Sequence, residues 1–335
     1  MRLAVILSNY NHGKYLPECM LSILNQTRKA DEIIIIDDAS SDNSVDLLRK
    51  YEADYPGIKL ICNKQNRGYL YNAAAAFEIM DSEYFFAASA DDIYFPTLFE
   101  KSMSMLEASP DAGLCSSVSL VLDRDDGRPG LFPIPVFTDN PVYLNPEQSR
   151  KYLFRYGSWF LGNTTINSRK AYEEMGGYNA VKELYSMADG FLSEMIAFRY
   201  GVCFVPEPMG IWRRTGEGIS DTDIINLDKY RHMVQSAGKL MRGRYRDFVP
   251  HSYALMWESN AQFSLERKLI KSEYSRIASS TNIMSPRRWS GYLKFITGNL
   301  SAFIRHFSPR LVRRYASALA FSIKFHLAKR HRESE

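Results

Sequence analysis

An α/β fold built on a mostly parallel sheet, with helices on both faces, is predicted by three features of residues 1–122. Short, largely apolar runs recur at 3–7, 32–36, 58–62 and 84–88, and the first is rich enough in Val and Ile to be a parallel strand buried on both sides. Segments with apolar residues at helical spacing separate these runs, so the chain reads as repeated strand–helix units. Polar clusters follow the first, second and fourth runs, and parallel sheets bind ligands outside their carboxyl strand ends.

Each element has its own signal. After the first strand, Leu16, Cys19, Met20, Ile23 and Leu24 lie at i, i+3, i+4, i+7 and i+8, with Pro17 near the first turn, which predicts an amphipathic helix. The second strand carries four consecutive isoleucines, and Asp42 or Asn43 is expected to cap the helix bearing Val45, Leu47 and Leu48. A third strand at 58–62 leads through the turn Asn66-Arg67-Gly68 to a helix over 70–80. The fourth strand runs directly into Ser89-Ala90-Asp91-Asp92; Pro96 opens a helix to about residue 108, and 113–122 reads as strand. Residues 123–150, rich in Asp, Gly and Pro, suggest a mobile loop or hairpin over the ligand rim. Further strands are expected near 164–167, 202–205 and 209–213, and the sequence beyond Asp223 reads as helical and basic.

Composition narrows the class. Apolar residues make up 45% and charged residues 24% of the 335, which suits a globular protein with a substantial core. No stretch of 18 or more uncharged apolar residues marks a spanning helix. The N-terminal apolar run is short and turns polar at Ser8-Asn9-Tyr10-Asn11 without a small-residue cleavage site, so a buried strand and a cytoplasmic location are expected. Cys19, Cys62, Cys115 and Cys203 are scattered, which favours reduced thiols over bridges or a zinc site. The net charge of +4 is uneven: residues 287–335 hold 11 Lys and Arg against Glu333 and Glu335, a charge of +9 that leaves −5 for the body.

Two acidic pairs carry the chemistry. Asp37-Asp38 and Asp91-Asp92 each stand at a predicted strand end, where carboxylates are costly unless they meet a ligand, a metal or backbone donors. Either pair alone reads equally as a helix cap with a solvated neighbour. On one rim they offer what a nucleoside diphosphate needs: acceptors for base and ribose, and hard oxygen ligands for Mg²⁺ or Mn²⁺ beside the phosphates.

Four ordered motifs make a resemblance specific. Ser8-Asn9-Tyr10-Asn11 with Ser22-Ile23-Leu24-Asn25-Gln26-Thr27, the turn Ile36-Asp37-Asp38-Ala39-Ser40-Ser41-Asp42, Asn66-Arg67-Gly68 and Ser89-Ala90-Asp91-Asp92 resemble glycosyltransferase family 2. Met175-Gly176-Gly177-Tyr178-Asn179 is similar to the segment that precedes that family's catalytic base. The resemblance covers roughly residues 1–215 and implies a GT-A-type, Rossmann-like domain over 1–222, with a nucleotide-binding half to about 122 and an acceptor-side half beyond it. A basic helical region would follow over 223–335. It implies an inverting transfer from a nucleotide-diphosphate sugar to a hydroxyl of a glycan or lipid-linked acceptor, in surface polysaccharide synthesis. Ser8, Asn9, Tyr10, Asp37, Asp38 and Arg67 would line the donor pocket, Asp91 and Asp92 would share the ribose and metal contacts, and Asp189 would be the general base. Ser89 stands where the family carries its first D-x-D carboxylate, which leaves the division of labour between Asp91 and Asp92 open. The segment 212–220 looks like a flap, with Arg213 or Arg214 contacting the diphosphate. A non-catalytic nucleotide-sugar-binding or assembly protein is the alternative reading.

The tail at 287–332 interleaves Trp289, Tyr292, Phe295, Phe303, Phe307, Leu311, Phe321 and Phe325 with its cations. It reads either as interfacial helices on an anionic membrane, which would make the protein peripheral at the inner face, or as a helical region packed on the body or on a second subunit. Nothing in it resembles a nucleic-acid-binding module.

Overall fold

The computed structural model describes residues 1–123, 129–131, 136–215, 218 and 226–262. The basic tail at 287–332, the flap residues 216–217 and 219–220, and 124–128 and 132–135 of the expected loop lie outside the described residues.

The nucleus is the predicted one. β1 (Leu3–Asn9) lies between β2 (Glu32–Asp37) and β4 (Tyr84–Ser89), parallel to both, and β3 (Ile58–Cys62) extends the parallel set beyond β2. Register puts Asn9 opposite Asp37 and Ser8 opposite Ser89, so the polar clusters come to one rim. The rest of the sheet is β5 (Ile93–Tyr94), β6 (Leu114–Asp123), β7 (Pro129–Leu131), β8 (Val142–Leu144), β9 (Ile166–Ser168) and β10 (Val202–Arg214). Among the described residues its order is β3-β2-β1-β4-β9-β6-β10-β5, with β7 on β6 and β8 on β10. Short β9 is antiparallel to both β4 and β6, and β10 is parallel to β6, so β6 and β10 run with the first four strands.

Strand alternation divides the core into two layers. Leu3, Val5, Leu7, Ile33 and Ile35 face α1 (Leu16–Leu24), α2 (Ser44–Asp54) and α4 (Leu98–Ala108). Ala4, Ile6, Ile34 and Ile36 face the other side with α3 (Tyr69–Ile79), α6 (Arg169–Glu174), α7 (Gly177–Val181) and α8 (Ala188–Tyr200). This is the doubly wound arrangement, with every β1 side chain from Leu3 to Leu7 buried.

Several local expectations differ. The expected loop over 123–150 contains β7 and β8 and the start of α5 (Pro146–Tyr156). α5 opens on a capping box in which Asn145 accepts from the Gln148 N–H and the Gln148 side chain accepts from the Asn145 N–H. The strands expected at 202–205 and 209–213 are one strand, β10. Its register slips around Pro208, because Pro206 and Pro208 have no N–H to give the ladder. Trp212, Arg213 and Arg214 therefore belong to β10 rather than to a flap. Asn43 makes no side-chain cap; Asp42 instead accepts from the N–H groups of Ser44 and Gly13, joining the first two loops.

The boundary expected at 222/223 does not separate two cores. α9 (Leu227–Arg242) and the helical residues 251–262 continue the body, and Ala237, Met241, Tyr245, Val249, Tyr253 and Ala254 share a core layer with β1, β2 and α8. The Tyr245 hydroxyl donates to the Met175 carbonyl at 2.8 Å. Among the described residues no helix is long and apolar enough to cross a membrane.

Candidate active site

A cleft of about 980 Å³ opens at the carboxyl ends of β1 and β4. It is lined by Ser8, Tyr10, Asp38, Arg67, Asp91, Asp92, Asp189 and Arg213, but not by Asn9, Asp37 or Arg214. Elements outside the first sheet half complete it, among them the turn 161–165, the turn 182–187, the start of α8 and the end of β10.

The first acidic pair divides into two structural roles. Asp37 is 0% exposed, and its oxygens accept from the Asn9 amide at 2.7 Å, the Ser40 N–H at 2.9 Å and the Ser40 hydroxyl at 2.7 Å. Asp37 and Asn9, both expected in the donor pocket, thus build the wall behind it. Asp38 faces the cleft, yet accepts from the Asn63 amide at 2.8 Å and from the N–H groups of Arg67 and Gly68 at 2.9 and 2.8 Å. Burial pushes its carboxyl up, and these donors outweigh that and hold it below the usual carboxylate range. Asp38 therefore fixes the Asn66-Arg67-Gly68 turn, where Gly68 adopts φ +85°. Arg67 stacks on Tyr71, its guanidinium 3.8 Å from the ring centroid. The Ser8 hydroxyl accepts from the Asn72 amide at 3.1 Å, and Tyr10 is exposed beside it.

The second acidic pair lies deeper in the site. Asp92 is 1% exposed, and its Oδ1 accepts from the Arg213 N–H at 2.9 Å. Burial, then the charge of Asp91, pushes the Asp92 carboxyl well up, against the opposing pull of the Arg213 N–H and charge and the Asn163 amide. Burial likewise raises Asp91, offset by His12. His12 Nδ1 lies 3.9 Å from Asp91 Oδ2 and is buried without a hydrogen-bond partner. The two adjoining carboxylates, Asp92 buried and Asp91 partly so, repel one another, and Arg213 and His12 offset their burial only in part, so the donor set suits a hard divalent ion. Among the described residues no three His, Cys, Asp or Glu side chains group into a cation cage. Two carboxylates completed by phosphate oxygens is the pattern that Mg²⁺-like ions favour.

Arg213 reaches away from the cleft centre. Its guanidinium pairs with Glu18 at 2.7 Å and lies 4.7 Å from the Tyr15 ring centroid. Its backbone holds Asp92 while its side chain ties β10 to α1. Arg214 lies with its guanidinium 5.9 Å from the Trp212 ring centroid.

Asp189 sits in the first turn of α8, inside the helix rather than at its cap, and its Oδ1 accepts from the Gly190 N–H at 2.8 Å. Burial pushes its carboxyl above the usual range, with Gly190 opposing. A carboxylate of raised proton affinity, facing a cleft, is suited to general-base work near neutral pH. Gly162 makes room for it: a Cβ there would stand 2.3 Å from Asp189 Oδ2. The neighbouring Asn163 lines the cleft and bonds Asp92, so the 162–163 turn connects the two carboxylate centres. The sequence reading missed Gly162, Asn163, Glu18 and Glu194. Glu194 had a signal, because it is a lone charge among Phe191, Leu192, Met195, Ile196, Ala197 and Phe198. Glu18 looked like a solvated helix residue, and only the fold brings it to Arg213, 195 positions away.

Comparisons with known proteins agree with this geometry. The family model described as glycosyl transferase family 2 matches residues 4–169. YibD, an uncharacterized glycosyltransferase of Escherichia coli strain K12, is 37% identical over 117 residues, which span 35% of this chain and 34% of YibD. The chain thus matches about a third of that relative's length. Among solved structures, residues 1–349 of S. aureus TarS in complex with UDP-GlcNAc align with a TM-score of 0.54 at 15% identity, covering 81% of this chain and 92% of that one. The mannosyltransferase PcManGT of Pyrobaculum calidifontis, in complex with GDP-Man and Mn²⁺, aligns at 0.51 and 17%, covering 96% of this chain and 85% of that one. These two share the GT-A fold. With the four motifs on one rim and the family model spanning them, residues 4–169 form a glycosyl transferase family 2 domain.

Proposed function

We propose that this protein is an inverting glycosyltransferase that moves a sugar from a nucleotide-diphosphate donor to a hydroxyl of a glycan or lipid-linked acceptor, in the synthesis of a surface polysaccharide. The observation that carries the reading is the meeting of Asp91-Asp92, the Asp38-held turn and Asp189 in one cleft at parallel strand ends. The base and ribose lie along Ser8, Tyr10 and the Arg67 turn. Asp91 and Asp92 would hold a Mn²⁺ or Mg²⁺ ion, which when bound would supply positive charge to offset that of the leaving diphosphate. Asp189 takes the acceptor hydroxyl proton as that oxygen bonds to the anomeric carbon and the bond to the diphosphate oxygen breaks. Arg213 acts by holding Asp92 and the strand end. Two fold relatives solved with UDP-GlcNAc and with GDP-Man plus Mn²⁺ support a donor of this class.

Thermal melting with UDP, GDP or dTDP and Mn²⁺ tests the donor site. One of the three should raise the midpoint by several degrees, and Asp92→Ala should remove that shift. Asp189→Asn should keep the shift while sugar transfer falls by roughly a thousandfold or more, at the upper end of what a general base contributes. Absence of any nucleotide shift in the wild type would sink the reading. Unchanged transfer by Asp189→Asn would return the protein to a non-catalytic binding role.

A further inference from the structure

Among the described residues three that are not glycine have positive φ: Asn11, Ala39 and Tyr185. Asn11 and Ala39 follow β1 and β2 and are small or tolerant of such angles. Tyr185 is neither. It interrupts the 3-10 turn Lys182–Met187 at φ 45°, ψ −120°, the first central position of a type II′ turn, where glycine dominates. A bulky side chain there strains the backbone, and such strain concentrates at ligand sites. The turn needs no side chain at this position, so the tyrosine answers some other requirement.

Tyr185 is not used by the core. The residue is 41% exposed and lines the cleft, four positions before Asp189. Lys229 Nζ lies 4.0 Å from its ring centroid and orients it. Lys182, Trp257 and Glu194 also line the cleft. Glu194 is almost fully buried and accepts from the Tyr253 hydroxyl at 3.1 Å, which ties the cleft to residues 251–262.

Resting on the transferase reading above, we infer that Tyr185 is a platform on which the acceptor saccharide stacks, presenting its hydroxyl to Asp189. The axial C–H face of a sugar ring is apolar and faintly positive, and it complements the negative face of an aromatic ring. The held orientation of the ring makes it a rigid anchor that needs little ordering when ligand arrives.

The probe is a panel of 4-nitrophenyl glycosides (β-glucoside, β-galactoside, β-N-acetylglucosaminide and α-mannoside), followed by saturation-transfer NMR on the full chain with and without nucleotide. At least one should bind wild type and Tyr185→Phe alike. Tyr185→Gly and Tyr185→Ala should bind it at least tenfold more weakly. Tyr185→Gly should melt no lower than wild type, because glycine takes these angles freely. The nucleotide-induced melting shift, which reports on the donor site alone, should be unchanged in every variant, so its loss in wild type would indict the transferase reading instead. The platform is overturned by glycoside binding equal in wild type and Tyr185→Gly. It is also overturned if wild type binds no glycoside of the panel, or if Tyr185→Gly loses binding together with several degrees of melting temperature.

Discussion

Glu194 illustrates how one buried residue links the cleft to pH. Burial pushes its carboxyl from 4.5 up to about 7, against hydrogen bonds from Ser158, Tyr253 and Trp257. A carboxyl whose folded affinity for protons exceeds the unfolded one favours the native state only while protonated. Its contribution is full below about pH 4.5 and is lost as pH rises to about 7. At about 1.4 kcal/mol per unit the loss comes to about 3–4 kcal/mol. Glu194→Gln should therefore match wild type in melting at pH 4.5 and exceed it by about 3–4 kcal/mol at pH 8, as denaturant titrations at the two pH values would measure. Asp38 has the opposite sign: its lowered carboxyl stabilises above the unfolded value and loses that contribution as pH falls through the folded one. Asp38→Ala would remove the acceptor shared by Asn63, Arg67 and Gly68, and would orphan the Arg67 N–H. That variant should lose about 3 kcal/mol of stability together with nucleotide affinity.

At the scale of elements, the close passage of β8 past the end of α8 sets a sharp requirement. Gly201 closes α8 at φ +78°, and a Cβ there would stand 2.3 Å from the Leu144 carbonyl oxygen, a backbone atom that cannot swing away. Strain and overlap together should make Gly201→Ala about 3 kcal/mol less stable, a fall of about 6–12 °C in a domain of this size. Calorimetric melting would check it. Strands β1, β2 and β4 were legible in the sequence because both of their faces are buried, so unbroken apolar runs mark them, while β3, with Lys59 and Cys62 exposed, was legible from Ile58, Leu60 and Ile61. β5, β8 and β9 were harder to read, since strands of two or three residues carry no period. α5 was hidden by the Pro and Asp around it, although Asn145-Pro146-Glu147-Gln148 held a helix start signal. The site divides the same way. Asp91 and Asp92 announce themselves as acids after an apolar run and Asp189 was reached through the family resemblance alone, whereas the retreat of Asp37 and Asn9 into the wall depends on their cross-strand register. Arg213 read as a cation for the diphosphate because its partner Glu18 lies far off in sequence.

The whole molecule is one packed unit through residue 262. Tyr230, Met233, Met241, Tyr245 and Tyr253 are each at most 7% exposed, and burying a large apolar side chain is worth about 1.5–3 kcal/mol. Together they exceed about 5 kcal/mol, the lower end of a domain's total stability. A chain cut after residue 222 should therefore lose cooperative unfolding and aggregate, while one cut after 262 should melt as a single transition; size-exclusion chromatography and calorimetry separate the two outcomes. The arrangement of β10 also has a consequence for synthesis. That strand is made late, yet it pairs with β5, β6 and β8 and supplies the backbone donor to Asp92. Until the ribosome releases residues 202–214, the nascent chain carries unpaired strand edges, the kind of surface that recruits chaperones and invites misassembly. The rim that carries both acidic pairs is thus encoded first and completed last, so no partly made chain holds Asp92 in its finished geometry.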